Sequence, residues 1–166
     1  GNLGIGTTTP VFLLDVAGDI NWLGNHAIRK AGLSWLAGED CNVFVGVRDD
    51  LADAGNFNTF VGFEAGLDSD NSSNTFIGCQ AGHGGVTSAG NVFIGYQTGF
   101  VSTTGEFNTF VGERSGLDNT SGDNNSFFGR QSGFDNTTGS DNSFFGFDSG
   151  LLNTTGSSNT YTGSRA

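Results

Sequence analysis

A five-residue motif recurs through most of the chain and constrains its fold more than any other feature. It reads Asn, then Thr, Ser or Val, then an aromatic residue, then in most copies Val, Ile or Phe, then Gly. Successive copies start 16, 16, 17, 17, 17, 17 and 17 residues apart. So regular a period indicates a stack of near-identical units that bury their apolar faces against their neighbours. The eight copies begin at Asn42, Asn58, Asn74, Asn91, Asn108, Asn125, Asn142 and Asn159.

Each repeat is too short for a strand plus a helix, and it is rich in glycine. A second motif of a small residue, Gly and an apolar residue follows in most copies, as in Ser115-Gly116-Leu117. A polar turn comes next, as in residues 118–122, where Asn, Asp and Gly favour turns. We therefore expect a strand, a tight turn, a shorter strand and a polar turn in each repeat. The sequence predicts an all-β fold, a parallel β-solenoid of eight coils of about 17 residues over 42–166.

Stacking such coils turns each position of the motif into a column, and we expect the Asn column to bond in register from coil to coil. Successive strand residues point to opposite faces, so Phe60 and Val61 point opposite ways. One coil cannot bury both, which favours burial of one column against another chain, with an exposed apolar stripe as the alternative. The motif leaves open which column faces inward, although the near-uniform aromatic column suits an interior. The predicted core and interface columns comprise Phe44, Phe60, Phe76, Phe93, Phe110, Phe127, Phe144, Val61, Ile77, Ile94 and Val111.

Residues 1–41 lie outside the repeat and are predicted to form a neck or capping segment with short strands. Residues 12–16, Phe-Leu-Leu-Asp-Val, are a strand candidate. Trp22, Trp35 and Leu36 are large apolar residues that would cap the first coil or pack in a trimer, because the open end of a solenoid exposes strand edges.

Two segments carry a resemblance to known families. Residues 1–10, GNLGIGTTTP, followed by LDVAGD at 14–19, resemble a segment common in phage tail fibres and bacterial surface proteins. The Asn-Thr-Phe-Val-Gly-x-x-Ala-Gly repeat at 58–66 is similar to the head repeats of trimeric autotransporter adhesins. The resemblance implies a left-handed β-roll, a homotrimer, and an extracellular, cell-surface or virion fibre that attaches to surfaces. The repeats here are longer than those of the adhesin heads and carry Phe in place of an aliphatic core motif.

Charge narrows the classes of partner. The chain has 6 Lys and Arg against 17 Asp and Glu, a formal charge of −11. Nucleic acids and anionic lipid surfaces both attract basic proteins, so neither is expected as a partner. No apolar run approaches the roughly 20 residues of a membrane helix, so we expect no membrane insertion of this segment.

Catalytic chemistry is not expected. His26 and His83 are far apart in sequence and suggest neither a nucleophile–base pair nor a zinc site. The abundant Asp residues recur in polar turns, where Asp has a structural role. We therefore predict no enzyme activity and no cofactor, with calcium as the alternative because oxygen-rich loops suit that ion. Cys41 and Cys79 favour two free buried thiols, with a disulfide as the alternative.

One polar column offers a different function. Pairs of hydroxyl residues precede Gly in four successive repeats, and stacking would align them into an exposed ladder. Such a ladder suits ice or a glycan, while the simpler interpretation is that Thr fits a polar turn beside Gly. Partners would then include a cell-surface glycan or receptor besides the homotrimer. The candidate surface-binding residues are Thr104, Ser121, Thr138 and Thr155.

Overall fold

The chain divides into two compact units, Gly1–Glu39 and Asp40–Ala166. The computed structural model describes residues 42–46, 55–84 and 86–166 in full, and four three-residue strands between residues 3 and 28 by their backbone. In the first unit, strands β1 (Leu3–Ile5) and β2 (Leu14–Val16) pair in parallel. Strands β3 (Ile20–Trp22) and β4 (His26–Ile28) pair antiparallel. Of the strand predicted over 12–16, residues 14–16 form β2, and residues 12 and 13 lie outside the described residues. Trp22 lies in β3, while Trp35 and Leu36 also lie outside the described residues.

The second unit contains one parallel sheet of eight strands, to which each copy of the motif contributes one strand. Neighbours in sequence are neighbours in the sheet, and equivalent residues pair, so Phe76 lies between Phe60 and Phe93. The predicted all-β parallel β-solenoid is confirmed, and the described residues contain no helix. The strands are β5 (Val43–Val45), β6 (Thr59–Val61), β7 (Thr75–Ile77), β8 (Val92–Ile94), β9 (Thr109–Val111), β10 (Ser126–Phe128), β11 (Ser143–Phe145) and β12 (Thr160–Thr162).

The shorter second strand expected in each coil is absent from the described coils. Residues 63–68 form turns instead, and the small-Gly-apolar motif lies within them. Glu64, Gly66 and Asp68 have φ values of 53°, 62° and 55°. A segment in which every second residue is left-handed cannot extend, so it curls and closes the coil. The prediction was wrong here because the apolar residue after Gly was taken as strand pattern.

The Asn residues that open each motif form the predicted ladder, but they bond mainly to backbone. The backbone N–H of Asn125 donates to Oδ1 of Asn108 in the preceding coil at 2.8 Å. Its own Nδ2 donates to the carbonyl oxygen of Gly139 at 2.8 Å. A direct amide-to-amide bond within this column occurs between Asn159 Nδ2 and Asn142 Oδ1, at 3.1 Å. Asn125 therefore bonds to the coil before it through its backbone N–H and the Asn108 amide, and to a carbonyl 14 residues later in the chain through its own Nδ2.

A second Asn column, unrecognised in the sequence, forms the in-register amide ladder. Nδ2 of Asn136 donates to Oδ1 of Asn119 at 2.7 Å, and Nδ2 of Asn153 donates to Oδ1 of Asn136 at 2.9 Å. These residues lie in the polar turns at a spacing of 17, which was the available signal. Because Asn is also an ordinary turn residue, the spacing alone did not separate a buried ladder from an exposed turn.

Candidate binding faces of the solenoid

The aromatic column of the motif lines the interior of the coils. The Phe rings from Phe60 to Phe144 are at most 2% exposed and stack with centroids 4.7–5.0 Å apart and interplanar angles of 4–9°. Phe44 and Tyr161, at the two ends, are partly buried against this core. Opposite each ring lies a glycine: a Cβ on Gly116 would stand 2.4 Å from the ring of Phe110. The ring therefore fills the space between the strand and the turn that faces it.

The apolar residue after each aromatic points away from that interior. We call Val45, Val61, Ile77, Ile94, Val111, Phe128 and Phe145 the outer strand column. Ile77 is 37% exposed and Phe145 is 41% exposed, while Val61 and Val111 are half-buried. Phe128 and Phe145 stack on each other with centroids 5.2 Å apart. The structure thus separates the two predicted columns: the aromatic residue of each motif lies inside the coil, and the residue after it lies on the surface of a single chain.

A second apolar column lies outside the core on the turn that faces the strand. We call Leu67, His83, Phe100, Leu117, Phe134 and Leu151 the turn column, and each is half-buried. Leu117 lies between two buried residues, Gly116 and Asn119, and does not belong to the buried core cluster. His83 and Phe100 stack with ring centroids 4.7 Å apart. Sequence reasoning took these residues as short strands and did not recognise a second surface column.

Three arginine side chains lie over aromatic rings beside the outer strand column, in its carboxyl-terminal half. The guanidinium carbons of Arg130 and Arg165 lie 5.5 and 5.8 Å from the centroid of Phe147. Arg130 Nε is also 3.5 Å from a carboxylate oxygen of Glu113. Arg114 lies over Tyr96 and donates to Oε1 of Gln97 at 3.1 Å. At these distances the guanidinium groups interact favourably with the ring faces.

The predicted hydroxyl ladder is present, and its two columns differ. Oγ1 of Thr120 donates to the carbonyl oxygen of Thr137 at 2.9 Å, and Thr103 and Thr137 make the equivalent bond to their next coil. The second residue of each pair is exposed, at Thr104, Ser121, Thr138 and Thr155. One column therefore links the coils, and the other presents a single file of hydroxyl groups at the turn.

One acidic turn residue, Asp123, bonds to the backbone of the preceding coil, and serine takes this role in the coils after it. Oδ1 of Asp123 accepts the backbone N–H of Glu106 at 2.8 Å, and Ser140 and Ser157 fill the same place in later coils. Asp118 is half-buried, and burial together with the neighbouring charge of Asp135 raises the pKa of its carboxyl group above the usual 3.8. Among residues 42–46, 55–84 and 86–166, no cluster of three or more His, Cys, Asp or Glu could hold a metal ion.

The histidine and cysteine of the described coils are surface residues. His83 Nε2 lies 3.4 Å from Oε2 of Glu64, which also accepts a hydrogen bond from Gln80. Cys79 is a free thiol, and it is exposed, not buried as predicted, because it follows Gly78 at the outward turn. His26 is known by its backbone in β4, and Cys41 lies outside the described residues. Within the described residues no nucleophile, base and acid are brought together at these positions.

Three comparisons with known proteins were made for this chain, and none found a match. No family model, no curated protein and no solved structure matches it. The part of the chain that the structure describes also has no helix of the length and apolarity that a membrane span requires.

Proposed function

We propose that this chain is a structural fibre or adhesin segment, a homotrimeric β-solenoid of an extracellular, cell-surface or virion fibre that mediates attachment to surfaces. The observation that carries the proposal is the outer strand column, which runs along every described coil from Val45 to Phe145 yet remains partly exposed on a single chain. Soluble monomers rarely expose a contiguous apolar stripe of this kind, so a partner chain is the simplest way to cover it.

The stacked coils suit a fibre in mechanical terms. Rings 4.7–5.0 Å apart and parallel strands in register give each coil the same contacts with the coils before and after it. Stability then grows with the number of coils, and the surface repeats along the axis. Three such chains side by side would present three times every surface feature that the interfaces leave exposed, which raises the effective affinity of weak contacts with a cell or host surface.

A non-enzymatic role is part of this proposal. A catalytic site needs a unique set of groups at defined positions, and the side-chain columns described above repeat from coil to coil. The carboxylate of Asp123 accepts a backbone N–H from the preceding coil, which is a structural task.

The direct test is the oligomeric state in solution. Light scattering after size-exclusion chromatography at micromolar concentration should give a mass of three 17.2 kDa chains. Replacing Ile94 by Lys in the outer strand column should weaken assembly at least tenfold, because it would bury an unpaired charge. The matched control is Thr138→Lys, on the exposed hydroxyl column, which should leave the mass unchanged. A clean monomer of the unaltered chain would contradict the proposal.

A second candidate function is binding of ice or a glycan by the exposed hydroxyl column. The observation in its favour is that Thr104, Ser121, Thr138 and Thr155 are exposed, while the Thr beside the first three of them donates its hydroxyl to the next coil. Thermal hysteresis or a glycan-array signal that disappears in Thr138→Lys and persists in Thr137→Val would support it. Absence of both signals in the unaltered chain would rule it out.

A further inference from the structure

The two apolar surface columns lie on different walls of the coil. The outer strand column belongs to the wall formed by the sheet, and the turn column belongs to the wall that carries the glycine facing the interior ring. In the fifth coil these walls are marked by Val111 and Leu117, with the ring of Phe110 between the strand and Gly116. A single chain therefore has two partly exposed apolar walls.

The symmetry of an assembly determines whether both apolar walls of each chain can be covered. In an isologous dimer each chain presents the same patch to its partner, which leaves the second wall uncovered. In a ring, one patch of each chain contacts a different patch of the next, so every chain has both patches covered. Two apolar walls on each coil thus favour a ring of heterologous contacts.

The partner that fits both apolar walls is a second copy of this chain. Both columns repeat once per coil, with the axial spacing of the parallel strands, about 4.8 Å. A surface with that period can stay in register along the whole stack only with another surface of the same period. Parallel copies of one solenoid satisfy this condition, and an unrelated globular protein does not.

Charge complements the apolar match in the middle of the stack. In the fifth and sixth coils the turn column is flanked by Asp118 and Asp135, both half-buried. In the same coils Arg114 and Arg130 follow the outer strand column. Arg130 is paired with Glu113, whereas Arg114 forms no ion pair within the described residues. Contact between the two walls of adjacent copies would bring Arg114 of one copy and Asp118 of the next to the same height along the axis.

We propose that the outer strand column of one protomer packs against the turn column of the next, in the same sense around the whole ring. This inference rests on the proposed trimer and adds which surfaces meet. It assigns Val111 and Leu117 to the two sides of one intermolecular contact.

The experiment uses cysteine cross-linking in the full chain with Cys41→Ser and Cys79→Ser. A double variant with Val111→Cys and Leu117→Cys is oxidised, or treated with a short bis-maleimide, and run on a non-reducing denaturing gel. Heterologous contact links each chain to the next at every interface, so covalent dimers and closed covalent trimers are expected. A second pair, Ile94→Cys with Phe100→Cys in the coil before, repeats the test if the first variant folds poorly. The control carries Val111→Cys alone and should give no covalent trimer.

The outcomes separate this inference from the proposed trimer. A trimeric mass by light scattering with covalent dimers alone from both double variants would mean that like columns meet at the three-fold axis, which overturns the inference and leaves the trimer intact. Un-cross-linked monomers on the gel, from a species of trimeric mass, would overturn it as well. A monomeric mass before cross-linking would contradict the proposed function itself.

Discussion

The side-chain amides of Asn125 and Asn136 donate to the same acceptor, the carbonyl oxygen of Gly139, at 2.8 and 2.9 Å. A carbonyl oxygen has two lone pairs, so this pair of amides satisfies it fully. The same arrangement recurs one coil earlier, where Asn108 and Asn119 meet at Gly122. Two separate Asn columns thus converge on one backbone atom in the three turns that contain Gly122, Gly139 and Gly156.

Replacing Asn136 by Ser should destabilise the solenoid without preventing folding. The shorter side chain leaves Oδ1 of Asn119 without its donor and removes one of the two donors at Gly139. Leaving a buried polar group unsatisfied costs about 1–3 kcal/mol, to be measured as the free energy of unfolding in denaturant. The matched control is Asn124→Ser, since Ser158 occupies the equivalent exposed position with a similar φ. A loss in the control equal to that of Asn136→Ser would refute the role of the ladder.

Truncating a ring in the middle of the stack should lower the free energy of unfolding more than Asn136→Ser does. Phe110 is 0% exposed and lies 4.9 Å from Phe93 and 4.7 Å from Phe127, centroid to centroid. Phe110→Ala should lower the free energy of unfolding by about 3–5 kcal/mol per chain, the usual loss for a buried aromatic. Phe107→Asn is the control, because Phe107 is 61% exposed and Asn124 fills its place in the next coil. A loss under about 1 kcal/mol for Phe110→Ala would be inconsistent with an interior column.

Glycine at the end of a strand is required by space as well as by φ wherever a further coil stacks on it. A Cβ on Gly112 would stand 2.4 Å from the carbonyl oxygen of Gly129, and a Cβ on Gly163 would meet nothing nearer than 4.0 Å. The two have similar φ values, 135° and 129°. Gly112→Ala should therefore lower the melting temperature far more than Gly163→Ala. Circular dichroism melts of the two variants measure this difference, and equal shifts would mean that backbone conformation alone fixes the residue.

Removing the charge at Asp118 should stabilise the protein in a pH-dependent manner. Its pKa is raised by burial and by Asp135, so the folded state binds that proton more tightly than the unfolded state does. The proton on Asp118 therefore stabilises the folded state. This stabilisation is fully present below about pH 3.8 and is lost as the pH rises through the raised pKa. Asp118→Asn should therefore raise the melting temperature at pH 7 and leave it unchanged near pH 3, in contrast to the exposed control Asp141→Asn. A gain of equal size at both pH values would contradict the argument.

The repeat predicted the architecture because the regular spacing and the residue type at each position both require strands paired in register. A Phe recurring at a fixed distance can stack only if the strands pair in register, and the structure pairs Phe110 with Phe93 and Phe127 in that way. The turn after Gly112 was less predictable. Arg114 has a φ of 56°, a conformation that its residue type does not signal, so the expected second strand became a turn. The second Asn column was hidden for a related reason, since burial of Asn119 depends on how that turn folds.

The motif Asn column gives the stack a direction. In each step the later residue donates its backbone N–H to the earlier side chain, as Asn142 does to Asn125 and Asn125 to Asn108. A finished coil therefore offers a ready acceptor to the one synthesised after it. During translation the amino-terminal coils emerge first, so each can serve as a template for the next and the solenoid can assemble vectorially on the ribosome.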